Sequence, residues 1–493
     1  MEEQAIRGVP WTLLTYAGSK ALTLAAIVVL AHLLPPGDFG LFSLALLAVG
    51  FFYMFRDLGL GATLILRQDR DDARWLGSVL TLSIATGVVI ALVTAAVSPL
   101  MADLLNEPQL TGLVSALALM TLFGAVGSFY EGMLQRELEF RRRLTGYLAQ
   151  SILFAAVAIP LAAVGVGVWS LVIGQLAGMA AYSISLWAVN TRRIRPALDR
   201  GAVRDAFETG RGFLVQGGVA YVQQNVDYLA VGGIMGSASL GYYSMGYRLA
   251  EVPNFAIADP IAKVTFPGFA RMRERGEEIG GAFLSTLKIV GLIAFPFGII
   301  LSAAADPFTR ALFGDNWLPM IGPLMILGLW AAARTIEVTL GWLLNSTGHA
   351  LVNGGVAAAL TVPTVPLLIL AAEGGSLTQV AAVVLGHNLA FIAVLAVFVR
   401  SRVGVSLRGQ LNALRPVLVA APLTWISTWG VAEATAGLPA ALGLAASVLV
   451  GAIVFAAVVS AVEPGLLRYA FGQAKRSLGR PSSPATPSEV TAA

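Results

Sequence analysis

Apolar residues run along this chain in long blocks separated by short polar or proline-containing joints. Crossing a hydrocarbon layer of about 30 Å takes roughly 20 apolar residues of helix. Fourteen stretches meet that length, at approximately residues 10–34, 39–65, 76–102, 110–130, 145–163, 168–189, 211–234, 239–266, 282–304, 317–345, 352–371, 378–399, 413–433 and 439–461. The pattern predicts an all-α polytopic membrane protein with about 14 transmembrane helices. The first stretch runs straight to Pro35-Pro36 without a small-residue cleavage site, which predicts a retained helix and not a signal peptide.

The joints alternate in charge. Arg67, Arg70 and Arg74 follow span two, Arg136 and Arg141 to Arg143 follow span four, and Arg192, Arg193, Arg195, Arg200 and Arg204 follow span six. Further basic groups follow spans eight, twelve and fourteen, whereas odd-numbered joints such as PPGDFG, DLLNEPQL and AAEGGSLTQ carry almost none, Arg310 being the main exception. Basic residues stay on the cytoplasmic side, so both termini are predicted to be cytoplasmic. No joint is long enough to fold as an external domain, which disfavours a membrane glycosyltransferase or ligase. The tail RPSSPATPSEVTAA has the composition of a disordered segment.

Two parts of the chain resemble each other. Span one opens with Arg7-Gly8 and span two begins FGLFS (Phe39 to Ser43); span seven opens with Arg211-Gly212 and span eight begins LGYYS (Leu240 to Ser244). A six-span repeat has an even number of crossings, so both halves start on the same side. They are then related by a pseudo-two-fold axis along the membrane normal, with the substrate path between them. The expected division is an N-terminal six-helix lobe over 1–200, a second over 201–402, two additional helices over 403–465 and a cytoplasmic tail over 466–493.

Composition agrees: 57% of the 493 residues are hydrophobic and 12% charged, against roughly 25% charged in soluble domains, and the mean hydropathy is +0.78. With no cysteine, and with His32, His349 and His387 far apart in sequence, neither thiol nor metal chemistry is indicated, and no cofactor is expected. The basic residues are accounted for by membrane orientation, so nucleic acid is not an expected partner.

Chemistry then has to come from polar groups inside the spans. In span seven, Gln216, Gln223 and Asp227 fall within roughly 40° of one another at 100° per residue, with Gln224 about 80° off that line. Lipid cannot satisfy such a stripe, so it faces either neighbouring helices, as interhelical hydrogen bonds, or a wet cavity. Lys20 lies about 15 Å into span one at 1.5 Å per residue, and Arg56, Arg248 and Arg334 lie within spans two, eight and ten. Each cation at the centre of a lipid-facing helix costs at least about 2.5 kcal/mol. Glu251 and Glu337 stand three residues from Arg248 and Arg334, a spacing that permits self-neutralisation. Arg56 and Asp57 are adjacent and point about 100° apart, and Lys20 has no acidic neighbour in its own span. Either a bound anion or a carboxylate of a neighbouring helix, such as Asp227 or Asp57, can answer those two cations. Prolines at 253, 260, 296, 319, 323, 363 and 366 predict kinked helices in the second half.

The segments RGVPWTLLTYAGSK, DFGLFSLALLAVGFFYMFRDLGLGATLILRQ, NVDYLAVGGIMGSASLGYYSMGYRL and LFGDNWLPM resemble bacterial Wzx-type oligosaccharide-lipid flippases, within the superfamily that also holds lipid II flippases and multidrug antiporters. That resemblance implies a V of two six-helix lobes that moves an undecaprenyl-pyrophosphate-linked oligosaccharide repeat unit across the membrane by alternating access, for O-antigen, capsule or exopolysaccharide synthesis. It implies that cations of the early helices of each lobe hold the pyrophosphate, which suits Lys20, Arg56 and Arg248, with Arg334, Gln216 and Gln223 as further substrate contacts. Membrane lipids, a polysaccharide polymerase and glycosyltransferases are the implied partners. A driving ion, H+ or Na+, would be coupled through Asp227, Glu251, Asp259 or Asp57. Because acidic groups roughly match the basic ones, an ion-coupled multidrug antiporter of the same fold is the alternative.

Overall fold

The computed structural model describes residues 2–56, 60, 64, 67, 71–137, 139–199, 201, 203–204, 221 and 223–465. Every regular element among the described residues is a helix. The helices are α1 (Glu2–Leu33), α2 (Pro36–Arg56), α3 (Ala73–Leu104), α4 (Leu110–Leu117), α5 (Leu119–Arg136), α6 (Phe140–Ala163), α7 (Val168–Val189), α8 (Ser237–Ala250), α9 (Asp259–Glu274), α10 (Gly280–Ala303), α11 (Ala305–Leu312), α12 (Ile321–Ser346), α13 (Ala350–Glu373), α14 (Leu377–Val403), α15 (Leu407–Ala434) and α16 (Ala440–Val462). Among the described residues eleven helices are long and apolar enough to cross a membrane. The predicted spans missing from that set are the first, seventh and eighth. Residues 211–220 of the seventh lie outside the described residues, and the eighth is not one helix.

Span eight breaks because of its prolines and glycines. Pro253 has no N–H for the helical ladder, and after it the backbone widens into a π-helical turn, Asn254–Ala258, before α9 resumes. A second π turn, Val231–Met235, ends at Gly236, whose φ of +86° only glycine adopts without strain. Span ten is preceded by a 3-10 turn, Asp315–Met320, carrying Pro319. Span four is likewise two helices, parted at Ala118.

The sequence repeat meets itself in space. Gly40 on α2 lies so close to α8 that a Cβ there would sit 1.6 Å from the carbonyl oxygen of Ser237, and one on Gly241 of α8 would sit 1.9 Å from that of Pro36. Between the same helices Ser43 donates to Ser244 Oγ at 3.1 Å. Each partner is the other's residue plus 201, so the contact is reciprocal about a pseudo-two-fold axis. Small residues let two helix backbones approach in this way.

At the same end, Trp317 of LFGDNWLPM is fully buried, donates its indole N–H to Ala31 O at 3.0 Å and meets Phe39 edge to face at 5.3 Å. At the opposite end, the joints after spans two, four and six are tied together: Asp71 pairs with Arg192 at 2.6 Å and Arg136 at 3.4 Å, and Arg192 with Glu137 at 3.3 Å. The Arg192 hydrogen bond holds the Asp71 carboxyl below its ordinary range. Around the waist, leucines such as Leu92 on α3, Leu367 on α13 and Leu449 on α16 are exposed, as lipid-facing side chains must be.

Candidate functional site in the second half

A cavity of about 640 Å³ opens between the 223–227 segment, α8, the π turn after Pro253, α12, α13 and α14. Its polar centre is Glu337 on α12. Arg334 stands one turn earlier on the same face, and its Nη1 donates to Glu337 Oε1 in a short ion pair. From α14, Asn388 donates Nδ2 to Glu337 Oε2. The next side chain, His387, places Nδ1 2.8 Å from Thr364 Oγ1 of α13.

The wall opposite is built by the widened turn, which brings Asn254 to the cavity and lets its Nδ2 donate to Glu251 Oε1 at 2.7 Å. Asp227 is buried and accepts from Tyr243 Oη at 2.7 Å. Aromatic side chains complete the lining: Trp342, and Tyr247 against Trp330 with ring centroids 4.7 Å apart. Among the described residues no cluster of three or more His, Asp or Glu side chains could hold a metal ion.

Of the residues singled out from sequence, Gln223, Asp227, Asp259 and Arg334 line this cavity, and Glu251 stands behind Asn254. The self-neutralisation that spacing allowed for Arg334 and Glu337 is present. The carboxylate of Glu251 instead hydrogen-bonds Asn254. Lys20, exposed on α1, and Arg248, half-buried on α8, come from opposite halves of the chain, yet Arg248 is near enough for its charge to act on the Lys20 ammonium.

Arg56 stands apart from the cavity. It is buried in the first half, its guanidinium lies 4.2 Å from the centre of the Tyr53 ring, and its Nε and Nη1 have no hydrogen-bond partner among the described residues. Gln216 and Asp57 lie outside the described residues. Sequence reasoning, which looked for charge, passed over Asn254, Asn388, His387 and the two tryptophans. The available signal was an uncharged His-Asn pair in the middle of an otherwise apolar span.

A family profile described as polysaccharide biosynthesis protein matches residues 29–322. The chain belongs to that family. It is 30% identical to the teichuronic acid biosynthesis protein TuaB of Bacillus subtilis (strain 168), over 60% of this chain and 61% of TuaB. It is 24% identical to the succinoglycan biosynthesis transport protein ExoT of Rhizobium meliloti (strain 1021), over 94% of each chain. Among solved structures, the lipid II flippase MurJ in an inward closed conformation superimposes with a TM-score of 0.76 at 14% identity, covering 93% of this chain and all of MurJ. At that identity the likeness concerns the fold, which is the all-α polytopic arrangement expected from the hydrophobic pattern.

Proposed function

We propose that this polysaccharide biosynthesis family member is a flippase, a transporter and not an enzyme. It carries polyprenyl-pyrophosphate-linked oligosaccharide repeat units from the cytoplasmic to the outer leaflet of a bacterial cytoplasmic membrane, with both of its own termini cytoplasmic. The two six-helix lobes, 1–200 and 201–402, would exchange access by closing and parting at the α2–α8 contact, with 403–465 as an appendage. The observation that carries this reading is the seam between the halves, where Gly40 and Gly241 bring α2 and α8 backbone to backbone and Ser43 donates to Ser244 Oγ at 3.1 Å, as two halves that exchange access require. Lys20 and Arg248 come one from each half, and cationic side chains of that kind would bind a multivalent anion through charge-assisted hydrogen bonds. The pyrophosphate link of a lipid-borne saccharide is such an anion, and its polyprenyl tail can stay in lipid.

The relatives add to this. ExoT is named as a transport protein for succinoglycan biosynthesis and aligns along nearly the whole chain, and the fold is shared with a lipid II flippase. Asp227, Glu251 and Asp259 are the groups through which H+ or Na+ would be coupled. Lys20→Ala and Arg248→Ala should each lower surface polysaccharide at least tenfold while the protein reaches the membrane at wild-type levels, as read by immunoblot and polysaccharide assay. Undiminished export in both variants would remove the head-group role.

A further inference from the structure

The ion pair at the centre of the second-half cavity leaves a set of polar atoms without partners among the described residues. Asn388 is 1% exposed, and its Nδ2 is committed to Glu337. A flipped amide would turn its carbonyl onto a carboxylate, so the orientation is fixed by charge. That leaves Asn388 Oδ1 as an acceptor with no donor. Arg334 Nε is a donor with no acceptor, and Asn254 Oδ1 is a second acceptor with no donor. All three side chains line the cavity. A buried polar atom left unpaired costs about 1–3 kcal/mol, so three around one chamber favour an occupant that both donates and accepts. A hydroxyl does both.

Charge separates this occupant from the phosphate. Among the described residues the cavity wall carries Asp227, Asp259 and Glu337 against the cation Arg334, a balance that suits uncharged groups better than a pyrophosphate. Arg248 and Tyr247 are consecutive on α8, and Tyr247 lines the chamber; with Cα atoms about 3.8 Å apart, the two positions lie within the length of one oligosaccharide. Tyr247, Trp330 and Trp342 line the chamber, and aromatic rings, whose faces carry the negative side of their quadrupoles, suit the C–H faces of sugar rings. A volume of about 640 Å³ falls within the roughly 300–1,000 Å³ of small-molecule sites.

We infer that this chamber is a saccharide subsite, holding uncharged sugar residues next to the pyrophosphate through Asn388 Oδ1, Arg334 Nε and Asn254 Oδ1. The inference rests on the flippase reading above, and its test is separable from that one. Oligosaccharide freed by mild acid from the host's own polyprenyl-linked pool, tritiated at its reducing end, is the probe, with full-length protein in nanodiscs and equilibrium dialysis as the measurement. Saturable binding is expected, weakened at least tenfold by Asn388→Leu and by Asn353→Ala, and not competed by inorganic pyrophosphate. Asn353 lines the chamber, and its amide donates to the neighbouring Asn345 at 3.3 Å; truncating it leaves the Glu337 cluster intact, which guards against misfolding of the first variant.

No saturable binding, which would leave the chamber to water, overturns the subsite, as do equal affinity in both variants and competition by pyrophosphate. Polysaccharide export in a flippase-deficient host reports on the other reading. Export restored by wild-type protein without glycan binding ends the subsite alone, and failure to restore export ends the flippase reading whatever the dialysis shows.

Discussion

Two carboxylates, the half-buried Glu131 and the buried Glu337, differ in how completely their surroundings answer them. Glu131, at the end of α5, accepts from Arg143 Nε at 2.6 Å, Tyr147 Oη at 2.6 Å and, closely, Tyr182 Oη. No polar atom of that group is left over, so it acts as a brace between α5, α6 and α7. Glu337 is held by Arg334 and Asn388, but the holders themselves are left with unpaired atoms. The first pattern is that of a structural cluster and the second that of a site. Tyr147→Phe and Tyr182→Phe should each lower stability by about 1.5–3 kcal/mol, the usual loss for a hydrogen bond to a charged group, with export per folded molecule unchanged. Glu337→Gln strands a guanidinium and should cost roughly 3 kcal/mol, while Arg334→Met with Glu337→Gln should recover much of that, since removing both partners of a buried pair is often near neutral. Thermal unfolding in detergent measures both series. A double variant no more stable than Glu337→Gln would show that the pair is not the source of the loss.

At the scale of helices, the hydrophobic blocks located most of the spans to within a few residues, because membrane helices are set by the thickness of the layer they cross. Hydropathy does not report interruptions inside a span, which is why the breaks at Ala118 and at the two π turns were not legible, although Pro253 marked one of them. The repeat was legible from FGLFS and LGYYS because the same small residues serve both sides of one contact. The site was legible only where it is charged. Asp227 and Arg334 announced themselves by their expense in lipid, whereas Asn254 and Asn388 depend on which way a kinked or apolar helix turns. The α2–α8 contact gives a prediction at this scale. Gly40→Ala and Gly241→Ala each place a methyl within 2 Å of a backbone oxygen that cannot swing aside, so each should destabilise by about 3 kcal/mol, the upper range for overpacking. Gly37→Ala, one turn away with nothing within 4 Å of its new methyl, should stay within about 0.5 kcal/mol of wild type in the same melt.

For the molecule as a whole, these contacts close the seam between the halves at one end. Trp317 reaches α1 and α2, Ser43 meets Ser244, and the glycine pair brings α2 and α8 backbone to backbone. In the orientation proposed above, that end faces away from the cytoplasm, the side on which the proposed flippase would open to release its cargo. In the proposed flippase the two halves rock about a central site as they exchange access, so this contact would part once in each cycle. The chain has no cysteine, so Ser43→Cys with Ser244→Cys introduces the only two thiols in the protein. The serine oxygens already meet at 3.1 Å, and a disulfide spans ~3.5–4.5 Å between Cβ atoms, so oxidation should join the halves with little distortion. Export should then fall to the level of cells lacking the protein, return on adding dithiothreitol, and be untouched by oxidant in either single variant. Full export by the oxidised, cross-linked protein would mean that the halves never separate here, and that cargo leaves by another route.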